Sequence, residues 1–147
     1  MPAGQELYAI IHRRSGDPDR TQQLGPYRLE TLIDPHEERA GVVHRVFVAP
    51  GERTSVSYHR IAEEFYFVIS GRGIAILNGR EYGLGPGDFL RLPPGTTHGF
   101  LTADEPLDLL DIQVPGCRPD RDVYFVDGPP PEGFQEPEPA PEKRDTV

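Results

Sequence analysis

Apolar residues between Tyr27 and Asp127 occur in short runs that are separated by Gly, Pro and Asn. In some runs apolar and polar residues alternate, as in TSVSYH at 54–59, and this period of two places successive side chains on opposite faces of a strand. Turn residues recur at intervals of about ten, which is typical of all-β sandwiches and barrels. No segment has the periodicity of a convincing amphipathic helix. The pattern therefore predicts an all-β domain.

Ten strands follow from this pattern. The run EFYFVIS at 64–70 is apolar on both faces, so we expect it to be covered on both sides, as in a barrel or a tightly packed sandwich. Asn78-Gly79 and Pro94-Gly95 are turn dipeptides, and the first is a strong signal for a type I′ hairpin. The predicted strands are 27–33, 43–49, 54–59, 64–70, 73–77, 80–84, 88–92, 97–102, 107–114 and 122–126.

The two ends of the chain differ from this central domain at 27–127. Residues 1–26 hold one apolar run, LYAII at 7–11, followed by a polar stretch that resembles a loop. A strand at 7–11 is a candidate for packing at a dimer interface. Residues 128–147 hold six prolines and seven charged residues, so they are predicted to be mostly disordered, with Phe134 as a candidate for docking.

Composition narrows the classes of function. A length of 147 residues suits one domain, and a net charge of −9 argues against a sequence-independent grip on nucleic acid or on an anionic membrane. A small molecule or another protein is the expected partner. The sequence has no apolar run of about 18 residues and no basic start followed by a long apolar region, so we expect a cytoplasmic protein. The single cysteine, Cys117, agrees with a reducing compartment.

Candidate metal ligands lie in two segments of the central domain, one around residues 59–64 and one at residue 98. His59 and Glu64 flank a short turn, so the end of one strand and the start of the next can direct both side chains at one interior point. His98 closely follows the Pro94-Gly95 turn, which would hold it in place. Two imidazoles and one carboxylate suit a divalent transition metal and leave positions open for water, substrate or oxygen.

These segments resemble the two motifs of the cupin superfamily. The resemblance covers roughly residues 40–115, and two independently spaced motifs are stronger evidence than one. The first motif corresponds to Gly51, Ser57, His59, Glu64 and Gly71, with a serine where the motif has its first histidine. The second corresponds to Gly87, Pro93, Gly95 and His98, with Thr102 in place of an asparagine.

The resemblance implies a small bacterial cupin: a double-stranded β-helix barrel, usually dimeric, that holds one metal through three histidines and one glutamate. Here Ser57 replaces the first histidine, and a neutral hydroxyl is a poor substitute for imidazole. The expected ligands are therefore His59, Glu64 and His98, holding iron(II), nickel, manganese or zinc with weaker retention. A carboxylate at Glu64 favours a retained metal, because a buried charge is costly unless it is paired with a cation.

Other pocket candidates depend on which face of a strand points inward. Tyr66 shares the parity of Glu64 and is interpreted as an aromatic wall or a proton donor, with core packing as the competing explanation. Asp111 and Gln113 share one face, which we expect to point outward; if it points inward, Asp111 is a candidate general base. Arg91 is equally ambiguous. His44 is expected to be a half-exposed strand residue, and His12 and His36 to be solvated.

Two classes of function follow. The first is a metal-dependent enzyme acting on a small organic molecule, as an isomerase, cyclase, decarboxylase or dioxygenase, with Glu64, Tyr66 and Asp111 as candidate catalytic residues. The alternative, suggested by Ser57, is a metal-free or structural-metal protein that binds a small molecule without catalysis. A metal-free epimerase using His98 as acid and base is a further possibility.

Overall fold

A computed structural model describes residues 9–116, 121–126, 131, 133 and 134. Within these residues the chain folds as a jelly-roll β-barrel of two antiparallel sheets, which confirms the predicted fold class. The first sheet has the order β1-β2-β3-β10-β5-β8 and the second the order β11-β4-β9-β6-β7. The strands are β1 (Thr21–Leu24), β2 (Tyr27–Thr31), β3 (Val42–Val48), β4 (Ser57–Tyr58), β5 (Glu63–Gly71), β6 (Gly73–Leu77), β7 (Arg80–Leu84), β8 (Phe89–Leu92), β9 (His98–Leu101), β10 (Leu107–Val114) and β11 (Tyr124–Phe125).

Most of the predicted strands form, but several segments differ from the prediction. The segment interpreted as a polar loop contains β1, which pairs with β2, so that interpretation was wrong for residues 21–24. The predicted strand at 54–59 is reduced to β4. The expected strand at 7–11 begins outside the described residues, and residues 9–11 are not in a strand. Most of the predicted disordered tail also lies outside the described residues.

Helical structure in the described part of the chain is limited to two short 3-10 turns, Pro18–Arg20 and Pro35–Glu37. Proline opens each turn, and proline suits this position because its φ is already helical and its missing N–H has no partner to lose. Neither turn has the length or the apolar character that a membrane-spanning helix requires.

Strand β10 sets the register of the barrel interior because it pairs with β3 on one side and β5 on the other. At one end of β10 the inward residues are apolar: Leu107 and Leu109 are fully buried. At the other end Asp111 and Gln113 occupy the same face. The barrel therefore has an apolar layer at one end and a polar layer at the other. The main core cluster comprises Leu24, Leu29, Val46, Val48, Tyr66, Val68, Ala75, Leu84, Leu92, Phe100, Leu107 and Leu109.

The Asn78-Gly79 hairpin forms as predicted between β6 and β7. Asn78 has φ 50° and Gly79 has φ 80°, and positive φ at both central positions is what a type I′ turn requires. Along its other edge β6 pairs with β9, the strand that begins with His98.

The C-terminal segment crosses back over the barrel. Strand β11 pairs with β4, and the Asp122 carboxylate accepts hydrogen bonds from the backbone N–H groups of residues 60, 61 and 62. Beyond it, the ring of Phe134 packs edge-on against Tyr27 and Phe125, with centroid separations of 6.0 and 5.2 Å. This docked phenylalanine is the contact that the sequence suggested for the tail.

Two glycines with similar φ allow a controlled test of the barrel's packing. A Cβ at Gly71 (φ 86°) would lie 1.8 Å from the Pro106 carbonyl oxygen, whereas a Cβ at Gly79 (φ 80°) would meet no atom within 4 Å. We expect Gly79→Ala to lower the free energy of unfolding by about 1 kcal/mol and Gly71→Ala to lower it by several kcal/mol more. Urea denaturation measures both values, and equal losses would contradict the backbone approach at Gly71.

Candidate metal centre

A cavity of about 70 Å³ lies inside the barrel and is lined by residues of both sheets. Its wall from the first sheet is formed by β2, β3, β5 and β10, and its opposite wall includes β9 and the segment around β4. The lining residues are Tyr27, Leu29, His44, Val46, Val48, Thr54, Ser55, Ser57, His59, Glu64, Tyr66, His98, Gly99, Phe100, Asp111, Gln113, Val123 and Phe134.

The three sequence-predicted ligands meet in this cavity. One carboxylate oxygen of Glu64, Oε1, lies 3.1 Å from His59 Nε2 and 3.1 Å from His98 Nε2. All three potential ligand atoms lie within 4.8 Å of one another. The side chains are buried, with Glu64 only 1% exposed. Glu64 comes from β5 in one sheet, whereas His98 comes from β9 in the other, so closing the barrel assembles the group.

Backbone carbonyls orient both imidazole rings. His59 Nδ1 donates to the carbonyl oxygen of Asp122 at 2.7 Å, and His98 Nδ1 donates to that of Thr96 at 3.1 Å. A carbonyl can only accept, so each Nδ1 carries the hydrogen, and the Nε2 of a neutral ring then carries a lone pair. Both Nε2 atoms face Glu64 Oε1. Sequence reasoning missed Asp122, because it lies 63 residues from His59 and nothing in the motif points to it.

This arrangement fits a cation. Two imidazole nitrogens and a carboxylate oxygen that converge in this way need positive charge among them, from a proton or a metal ion, and a divalent transition metal bonds to all three kinds of atom. Hydrogen bonding of the distal imidazole nitrogen to a carbonyl is the usual support of a metal-bound histidine. The residues present therefore fit a three-ligand metal site.

The electrostatics of the cluster reflect the same crowding. Burial, the largest influence, would raise the pKa of Glu64, but the charge of His98 and the hydrogen bond from His59 outweigh it, and the pKa falls well below its usual range. Burial lowers the pKa of His98, and the Glu64 charge opposes this only in part. For His59 burial also lowers the pKa, but the hydrogen bond and charge of Glu64 prevail and raise it. Glu64 is thus an anion that draws positive charge to this point.

Ser57 lines the same cavity and pairs directly with His98 across β4 and β9. Residues that are direct partners in an antiparallel pair project from the same face of the sheet, with Cβ atoms about 5 Å apart. A side chain at position 57 is therefore adjacent to the imidazole of His98 and close to the ligand group.

The polar residues of β3 and β10 correct two expectations. His44, expected to be half-exposed, is 3% exposed and lines the cavity. Asp111 and Gln113, expected to point outward, are 3% and 7% exposed and line it as well. The alternation correctly groups Asp111 and Gln113 on one face of β10, but the expectation that this polar face meets solvent was wrong. Arg91, left ambiguous, is exposed and forms an ion pair with Glu63 on the outer surface.

Tyr66 lies in the cavity wall on the same face of β5 as Glu64. Its ring packs edge-on against Phe100, with centroids 5.1 Å apart, so it serves both the core and the cavity. Burial, together with the charges of Asp111 and Glu64, raises the pKa of Tyr66 well above its usual value. The phenol therefore keeps its proton at neutral pH.

Asp111 lies between His44 on β3 and Tyr66 on β5 as a direct partner of both. Burial and the nearby Glu64 charge raise the pKa of Asp111 well above its usual value. Burial lowers the pKa of His44 to about 4, so its imidazole is neutral at pH 7. These groups form a buried polar wall beside the ligand group, made of His44, Asp111 and Gln113.

A second grouping of possible ligands lies at the surface, at Asp34, His36 and Glu37. There the Glu37 carboxylate already binds both terminal nitrogens of Arg13, at 2.8 and 2.9 Å. His36 is exposed, as expected, and so is His12. Within the described residues the buried group at His59, Glu64 and His98 is the stronger candidate.

Comparison with known families decides the identity of the barrel. The cupin domain family matches residues 39–113, just over half of the chain and the part that carries the ligand group. The chain belongs to the cupin family. Two of the curated relatives that it matches are much longer, and the chain spans about a fifth of their length. One of them is quercetin 2,3-dioxygenase of Bacillus subtilis, 30% identical over 66 residues, or 45% of this chain and 20% of the enzyme.

Solved cupin structures resemble the whole barrel. The nucleoside dehydratase Pac13 of Streptomyces superposes with a TM-score of 0.62 at 19% identity, covering 78% of this chain and 92% of Pac13. The polyketide cyclase RemF of Streptomyces resistomycificus superposes with a TM-score of 0.63 at 24% identity, covering 81% of this chain and 88% of RemF. At these identities the likeness establishes the shared cupin fold.

Proposed function

We propose that this cupin is a metal-dependent enzyme that acts on a small organic molecule, with one divalent transition metal held by His59, Glu64 and His98. Iron(II), nickel, manganese and zinc all suit this donor set. The observation that carries the proposal is the convergence of two imidazole nitrogens on one buried carboxylate oxygen, each at 3.1 Å. When bound, the metal would supply Lewis acidity or oxygen activation, as in an isomerase, cyclase, decarboxylase or dioxygenase.

The residues of the cavity provide the rest of the machinery. The Gln113 amide holds the second oxygen of Glu64 at 2.7 Å, which fixes the carboxylate while its first oxygen faces the histidines. Tyr66 keeps its phenolic proton and can donate it to a substrate oxygen. Asp111, interpreted from sequence as a general base, has a raised pKa and suits the role of proton donor better.

Relatives support an enzymatic role. The proteins that this chain resembles include a dehydratase, a cyclase and a dioxygenase, and these act on organic molecules of modest size. A buried cavity with a few convergent polar groups inside an apolar shell is typical of small-molecule sites.

The alternative is a cupin that binds a small molecule without catalysis, with no metal or with a structural one. Ser57 favours it, because losing an imidazole ligand weakens metal binding. Removal of the bound metal distinguishes the two: an enzyme of the proposed kind loses turnover in chelator and in Glu64→Ala, whereas ligand binding by the alternative persists.

The ligand assignment predicts stoichiometric metal in protein purified without a polyhistidine tag. His98→Ala should lower metal affinity at least about tenfold, because it removes one of three protein ligands. Elemental analysis and metal titration provide the measurement. His12→Ala, at an exposed histidine, is the matched control and should leave metal content unchanged. A protein without metal, together with equal metal content in His98→Ala, would refute the site.

Position 57 offers a second test, in which a ligand is added. Ser57→His places an imidazole beside His98, so we expect tighter metal binding by about tenfold or more and a lower or altered activity, because the fourth protein ligand takes a position open to substrate. Metal titration against a chelator measures the first effect. If the variant binds metal no more tightly, Ser57 does not face the ion and the first motif is misaligned.

We also propose that the protein is a homodimer joined through the outer face of the first sheet. The side chains on the inner face of β5 are buried in the barrel, but those on its outer face are not. Phe67 is 46% and Ile69 40% exposed, and Phe89 on β8 is 60% exposed. Together with Phe65, Leu110, Ile112 and Val114, they define the outer apolar patch. The sequence predicted that this strand is covered on both sides, and a second copy would provide the missing cover.

A charge in the outer apolar patch should break the dimer. Phe67→Lys is expected to weaken self-association at least about tenfold, because it buries an unpaired ammonium at the interface. Tyr82→Lys on β7, in the other sheet and 39% exposed, is the control and should not change association. Sedimentation velocity over a range of concentrations measures both. A monomeric native protein, or a dimer unaffected by Phe67→Lys, would exclude this interface.

A further inference from the structure

The polar wall of the cavity carries hydrogen-bonding atoms that the protein itself does not use. Gln113 Oε1, Asp111 Oδ1 and His44 Nδ1 are buried and have no hydrogen-bond partner within the described structure. All three side chains are more than nine-tenths buried and line the cavity. An unpaired polar atom in a buried site costs about 1 to 3 kcal/mol, so a molecule that pairs with these atoms gains from doing so.

The orientation of the Gln113 amide is fixed by two carboxylates. Its Nε2 lies 2.7 Å from Glu64 Oε2 and 3.0 Å from Asp111 Oδ2, so both amide hydrogens are donated to carboxylate oxygens. The reverse orientation would direct the amide oxygen at the anionic Glu64 carboxylate and is excluded by repulsion. Gln113 Oε1 is therefore left as a pure acceptor, and a ligand must bring an O–H or N–H donor to it.

Asp111 supplies a second atom beside the first. Its Oδ2 is held by the Gln113 amide, which leaves Oδ1 as the free oxygen. Asp111 and Gln113 are two residues apart on one face of β10, so their free oxygens belong to neighbouring positions of the same wall. A hydroxyl group can both donate and accept, so it pairs with Oδ1 whether or not the carboxyl carries a proton.

We propose that the substrate carries two adjacent hydroxyl groups, one donating to Gln113 Oε1 and the other pairing with Asp111 Oδ1. This inference rests on the proposed role of the cavity as a substrate site and assigns Gln113 as the residue that selects a diol. An ether or a deoxy analogue leaves the Gln113 acceptor unpaired. Sites built to pair with a hydroxyl discriminate strongly against the analogue that lacks it.

The test uses a diol and its ethers as probes. Binding of ethane-1,2-diol, 2-methoxyethanol and 1,2-dimethoxyethane, which are small enough for this cavity, to the as-purified protein is measured by NMR titration of the backbone amides. We expect affinity to fall at each methylation, by about fivefold per lost hydrogen bond. Equal binding of the diol and the dimethyl ether would overturn the proposal, and so would no binding of the diol at concentrations on the order of 0.1 M.

A variant shows whether Gln113 causes the selection. Gln113→Met keeps an unbranched side chain of similar length but has no amide, so the preference for the diol over the dimethyl ether should fall about fivefold, and the Asp111 contribution should remain. Gln22→Met, at an exposed position of β1, is the control and should keep the native preference. A preference that is undiminished in Gln113→Met would mean that Gln113 does not select the diol and that the diol is bound elsewhere, for example by the metal.

Metal content measured on the same samples separates this inference from the proposed function. A protein without metal that still prefers the diol refutes the metal site and supports recognition of the diol by the polar wall. A protein with stoichiometric metal and no diol preference refutes the wall alone. If Gln113→Met fails to fold, the ordering of the three probes on the native protein decides the question.

Discussion

Burial of the Glu64 carboxylate is the constraint on which the site depends. Removing an ionised carboxylate from water costs several kcal/mol, so its neighbours must offset that cost. Here two imidazoles face one oxygen and the Gln113 amide binds the other. The second amide hydrogen of Gln113 then reaches Asp111, which extends the network along β10. One buried charge thus determines the positions and the free atoms of most polar groups in the cavity.

The strand register determines where this network can exist. Because β10 pairs with both β3 and β5, Asp111 lies between His44 and Tyr66 in one layer of the interior. The next layer lies two residues earlier in β10, where Leu109 is placed between Val46 and Val68, and this layer is purely apolar. The apolar layers stabilise the barrel, whereas the polar layer is left available for chemistry. Stability and reactivity are therefore separated along the barrel axis, so changes in one layer need not disturb the other.

Much of this fold could be predicted from the sequence. Motif spacing and turn dipeptides identified the barrel and the positions that converge at the ligand group, because these features are local. The inward direction of Asp111 and Gln113 was not predictable in this way. Alternation groups residues by face but does not identify the inner face, and a polar face normally meets solvent. In the folded barrel Leu107 and Leu109 point inward, and Asp111 and Gln113 lie on the same face of β10, so they point inward as well. The contact of Asp122 was not predicted for a related reason. Its carbonyl oxygen accepts a hydrogen bond from His59, which lies 63 residues earlier in the chain.

Ser57 can be understood in this geometry. It lies beside His98 in the second sheet, opposite the wall that β3 and β10 build from the first. An imidazole at position 57 would occupy space within the cavity and would provide a further ligand to the proposed metal. A serine gives up that affinity and leaves room between the ion and the polar wall. In the proposed enzyme this room would be available to the substrate. Ser57 and the polar wall would then face the same molecule from opposite sides of the cavity.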